Sequence, residues 1–150
     1  MVRRSRLAIL PLALACGRPA ALEEPLSDWA CANVSLGTLI DVGQTPSEAP
    51  DIEVGRAAYR VNVLPAEPGY LRLVLDEDTE LRLLADEPDA VVAVWTGPDD
   101  ERMAVELVEG PPACPERTLF GADLVLFAGD VTLEVGPTLQ ANVWLAVATP

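Results

Sequence analysis

From Tyr59 onwards the chain alternates, with an apolar side chain at every second position and a turn signal closing each run. Tyr59, Val61 and Val63 alternate with Arg60 and Asn62, and Leu71, Leu73 and Leu75 with Arg72 and Val74. The same rhythm runs through Leu81 and Leu83, then Met103, Val105 and Leu107, then Leu124, Leu126 and Ala128 opposed by Val125 and Phe127. It ends with Val131, Leu133 and Val135, and with Val143, Leu145 and Val147. Successive side chains of a strand point to opposite faces, so a period of two makes one dry face and one wet face. A helix over Leu71–Leu84 would need apolar residues three and four apart, which the stretch lacks. Val91-Val92-Ala93-Val94-Trp95 is apolar on both faces, as a central strand is.

The 14 Pro and 10 Gly suit many short strands joined by turns. Turns are predicted at Pro65–Gly69, Gly97–Asp100 and Gly136-Pro137. Gly129-Asp130 carries the signal of a two-residue type II′ hairpin, with glycine supplying the positive φ. Upstream, Trp29–Asp41 is read as a first strand with Val34, Leu36, Thr38 and Ile40 on one face, and Gly43–Gly55 as a loop. About eight strands at roughly 8–12-residue spacing predict an all-β fold. The expectation is one antiparallel β-sandwich, jelly-roll-like, over residues 29–150, a size that fits a single domain.

The N-terminus has its own grammar. Arg3, Arg4 and Arg6 precede the apolar run Leu7–Ala15, which is far below the roughly 20 residues of a membrane span and reads as a signal peptide over residues 1–15. Leu12-Ala13-Leu14-Ala15-Cys16 resembles the lipobox of bacterial lipoproteins. That resemblance implies cleavage before Cys16, acylation of its sulfur, and a location in the cell envelope as an outer-membrane or periplasmic lipoprotein. Ala13 stands where the lipobox usually has Leu. Ala13-Leu14-Ala15 also satisfies the rule for ordinary signal cleavage, which would give a secreted product. Residues 16–28 then read as a lipidated Cys and its proline-bearing tether. The chain has three cysteines. With Cys16 lipidated, Cys31 and Cys114 remain as an even pair for one disulfide in an oxidising compartment. Their spacing is nothing like the C-x-x-C of a redox pair.

Composition narrows the function. The net charge is −14 and every basic residue is Arg, so nucleic acid is an unsuitable partner. The 150 residues contain no His, which removes Ser-His-Asp and Cys-His chemistry and His-based zinc sites. No serine lies in a G-x-S-x-G elbow or S-x-x-K box, and no Gly-rich phosphate loop is present. Carboxylates crowd Asp76–Glu80, Asp86–Asp89 and Asp99–Glu101, all read as solvated hairpin tips. Asp76, Asp78 and Glu80 come nearest to a calcium set, without EF-hand spacing or a glycine to bend the loop. Trp29, Trp95 and Trp144, with Tyr59 and Tyr70, contain enough aromatic surface for a sugar-stacking platform. Trp95 and Trp144 lie in apolar strands and are assigned to the core.

Tyr59 to Val147 is similar to the bacterial pre-peptidase C-terminal domain, a β-sandwich of secreted peptidases and surface proteins. The likeness is carried by Ala58–Val63, by Leu126–Val135 as an Ala-Gly hairpin, and by Asn142–Val147 as a final strand. Ala57 stands where that family usually has an acid, and Val131 and Thr132 where it has aromatics. The resemblance implies a binding or stabilising role with no catalytic residues. The expectation is a non-catalytic, lipid-anchored β-sandwich module, binding or structural, with the membrane as partner through Cys16 and no cofactor. The alternatives are a calcium-dependent adhesion module and a secreted hydrolase working through carboxylates.

Overall fold

The computed structural model describes residues 26–97, 101–110, 114 and 117–150. Cys16, the leader and most of the tether lie outside the described residues, as do Asp99 and Asp100. After a helix α1 (Leu26–Asn33) come β1 (Thr38–Asp41), a 3-10 turn (Pro46–Glu48), β2 (Asp51–Ile52), β3 (Ala57–Asn62) and β4 (Gly69–Leu75). They are followed by β5 (Thr79–Ala85), β6 (Val91–Thr96), β7 (Glu101–Ala104), β8 (Val108–Glu109), β9 (Phe120–Leu126), β10 (Gly129–Val135) and β11 (Asn142–Ala148).

These strands form two sheets packed face to face. Sheet A has the order β1-β3-β11-β5-β9-β8, and sheet B the order β2-β4-β10-β6-β7. Eight of them, four per sheet and all antiparallel to their neighbours, follow the jelly-roll order β3-β11-β5-β9 over β4-β10-β6-β7. The all-β sandwich expected from the alternation is therefore the fold. Three short additions take the described strands to 11: β1 and β2 join their sheets as parallel edges, and β8 pairs with β9.

The core is built from the inward members of the alternation. Val61, Leu71, Leu73, Leu81, Leu83, Val94, Val131, Leu133, Val143, Leu145 and Val147 are all buried in one cluster between the sheets. Each such side chain removed from water stabilises the fold by about 1.5–3 kcal/mol before entropy is counted. Gly69 starts β4 where a Cβ would overlap Val42, so only glycine fits.

Several local expectations give way. The segment read as a first strand from Trp29 is helical to Asn33, and only Thr38–Asp41 is extended. The helix also takes in residues 26–28 of the predicted tether. Its Ala30, and Val34 in the turn that follows it, pack against Leu119, Trp144 and Ala146 on the outer side of sheet A. Gly129-Asp130 is not a hairpin. β9 lies in sheet A and β10 in sheet B, so the chain crosses between layers there, and Gly129 takes φ 127° at the corner while pairing with Leu75. The Met103–Leu107 strand ends at Ala104, with Met103 exposed and Leu107 buried. Asp76–Glu80 and Asp86–Asp89 are likewise crossings between sheets rather than hairpin tips.

Candidate functional site

The two sheets expose different outer faces. On sheet A that face carries Trp144, Ala146, Ala58 and Leu84, and α1 lies over it. Trp144 is fully buried there, with its backbone N–H donating to Asp86 Oδ1 (2.7 Å) and its indole N–H to the Leu36 carbonyl (3.0 Å). Asp86 also holds Arg60 (3.3 Å) and Arg117 (3.6 Å), and Arg60 donates to the Val34 carbonyl beyond the helix end (3.0 Å). The Cys31–Cys114 disulfide, Cα to Cα 5.2 Å, pins α1 to the loop before β9. The pairing expected from the cysteine count is present, and Trp144 is buried as expected, though under the helix and not between the sheets.

The outer face of sheet B has no such cover among the described residues. Cross-strand register lines up Asp51, Arg72, Thr132, Trp95 and Arg102 on adjacent strands, with Tyr70, Glu134 and Ala93 in the next row. Trp95 is thus on the outside, half-buried, which corrects its assignment to the core. Its indole N–H donates to Glu134 Oε2 (2.9 Å). Glu134 is also held from both oxygens by Arg102, Nε at 3.0 Å and Nη2 at 3.1 Å, and the Arg102 guanidinium lies 5.9 Å from the indole centroid. A bidentate Arg–carboxylate pair is geometrically stiff, and here it fixes the ring. Arg102's hydrogen bonds hold the Glu134 carboxyl below the usual range against the opposing effect of burial, with the Trp95 N–H assisting. At the other end of the row Arg72 holds Asp51 in the same sense.

Between these pairs runs an open groove of about 870 Å³. Thr132, Asp130, Arg72 and Trp95 line it from the strands, Ser47 from the 3-10 turn, and Phe127 from the β9–β10 crossing. Phe127 is 74% exposed. No protein-family model matches the chain, and no curated protein matches it.

The weak calcium set does not assemble. Asp76, Asp78 and Glu80 are exposed, and Asp78 spends an oxygen on the Ala128 N–H at 2.9 Å. No group of three or more His, Cys, Asp or Glu converges among the described residues. Phe127, Thr132 and the Glu134–Arg102 pair carry no motif. Parity was the available signal, since Val94 faces inward and its neighbour Trp95 must then face out.

Proposed function

We propose that the chain is a non-catalytic binding module of the bacterial cell envelope, tethered through an acylated Cys16, with the outer face of sheet B as its binding face. The observation that supports it is the contrast between the two outer faces. On one, a helix and a disulfide cover the apolar strip around Trp144; the other carries a groove with an indole in its wall. Preorganised aromatic surface lowers the ordering cost of binding. The groove's carboxylates, Asp130 and Glu101, are exposed, which suits contact with a ligand better than proton transfer from a dry pocket.

The tether is tested by intact mass and membrane fractionation of protein made in a bacterium that processes lipoproteins. Two or three acyl chains, at about 0.8 kcal/mol per buried methylene, hold a protein on a bilayer essentially permanently. The expected product starts at Cys16, carries acyl mass and sediments with membranes, and Cys16→Ala abolishes all three. Soluble material beginning at Cys16 with a free thiol refutes the anchor.

A further inference from the structure

We infer that the groove on sheet B takes a neutral carbohydrate chain, one pyranose ring stacking on Trp95. This rests on the reading of that face as the binding face. The sole polar atom of the indole is already satisfied by Glu134, so what Trp95 offers the groove is apolar ring surface. Phe127 supplies a second aromatic surface in the same groove, standing exposed and outside the core clusters. The C–H-rich face of a sugar ring suits such surfaces, and a rigid aromatic gives contact area at small entropic cost.

The rest of the lining answers the sugar's edge. A hydroxyl both donates and accepts, and here a donor (Arg72), an acceptor (Asp130) and hydroxyls (Thr132, Ser47) are interleaved. Charge decides against other ligands. Both arginines of this face, Arg72 and Arg102, already hold carboxylates, and the chain as a whole carries −14, so a polyanion gains little. A basic peptide would meet Asp130 and Glu101, but also the cationic Arg72 in the same groove. The groove is open to solvent and not enclosed, which suits a chain segment better than a small molecule that must be enclosed.

The test titrates full-length protein, purified in detergent, with cello-, chito-, malto-, xylo- and mannohexaose, read by calorimetry and amide chemical shifts. At least one should bind saturably, with shifts gathered at Trp95, Phe127 and Thr132, and raising the salt about tenfold should change affinity less than about twofold. Trp95→Ala should lower affinity by about tenfold or more, and Phe127→Ala, at an exposed position that cannot unfold the domain, by about three- to tenfold. Val125→Ala, exposed on sheet A, should leave affinity unchanged. Absence of binding to all five sugars by folded protein overturns the inference, as does binding that survives both aromatic substitutions. Salt-sensitive binding of hexa-arginine in the groove would overturn the sugar but keep the binding module. Cleavage of a bound hexaose would keep the sugar and overturn the non-catalytic reading.

Discussion

Replacing Cys31 and Cys114 by Ala distinguishes two ways in which their bond could hold the domain. The disulfide spans a sequence separation of 83 and closes a loop that contains β1 through β8. In the chain-entropy treatment a loop of that length constrains the unfolded state by about 4.5 kcal/mol. Against a typical stability of about 5–15 kcal/mol this is a large share. The rival is local. Cys31 and Cys114 pack against Ala30, Val34, Leu119 and Trp144, and in this account the bond acts only as a clamp on α1. A clamp costs no more than the docking of one short helix, and its loss would let α1 open while the sandwich stays intact. Urea titration followed by near-UV and far-UV signals separates the two. The entropic account expects one cooperative transition with stability lower by about 4 kcal/mol, a melting temperature lower by about 12–18 °C, and a larger m-value from a more expanded unfolded chain. A fall below about 1 kcal/mol, with an early separate transition in the near-UV signal of Trp144 as α1 leaves it, refutes it.

Glu134, held below its ordinary pKa chiefly by Arg102, contributes stability that is fully present above the unfolded value near 4.5 and lost as pH falls through the lower folded value. Glu134→Gln should cost about 1–2 kcal/mol at neutral pH, a figure kept low because Arg102 is half-exposed, and should flatten the pH dependence of stability below about pH 4.5; an unchanged slope refutes the pairing. Trp144→Ala should cost about 3–5 kcal/mol from the cavity and the stranded Leu36 carbonyl, against about 1–2 for Trp95→Ala, and calorimetry showing equal costs would contradict their opposite placements. Asp86→Ala strips an acceptor from the Trp144 N–H and a partner from Arg60, for about 2–4 kcal/mol, whereas exposed Asp76→Ala should stay within about 0.5 kcal/mol in the same urea assay.

The alternation at Leu71–Leu75, Leu81–Leu83 and Val131–Val135 was legible because a buried face admits no other register: a slip of one residue would turn every leucine to water. The disulfide was legible from arithmetic once the lipobox resemblance set Cys16 aside. Helix α1 was not, because eight residues are too few to show a 3.6-residue period, and Val34, Leu36, Thr38 and Ile40 imitate a strand. Gly129-Asp130 misled for a different reason. A local turn signal says that the chain bends, while the choice of partner strand is set by the two sheets, and β10 finds β4 and β6 instead of β9. Trp95 was masked by composition: every residue from Val91 to Trp95 is apolar, so the run shows no alternation, and the register shift opposite Val91 and Ala93 breaks the parity of β6 further.

That difference in what parity leaves outside also explains why the two outer faces have separate fates. Sheet A turns Trp144, Ala146, Ala58 and Leu84 outward, an apolar strip that water would penalise, and the fold answers with α1 and a covalent bond to keep it there. Sheet B turns out neutral Thr132 and two ion pairs, Arg72 with Asp51 and Arg102 with Glu134, which need no covering layer. Within that polar sheet, one large aromatic is held upright by a carboxylate that is itself among the most buried charged groups described. Burying a carboxylate is costly unless its partners are in place, and a surface with no other task would carry Trp95 as a smaller polar residue at no loss to the core. The expense is intelligible if the indole's orientation is what the face is for.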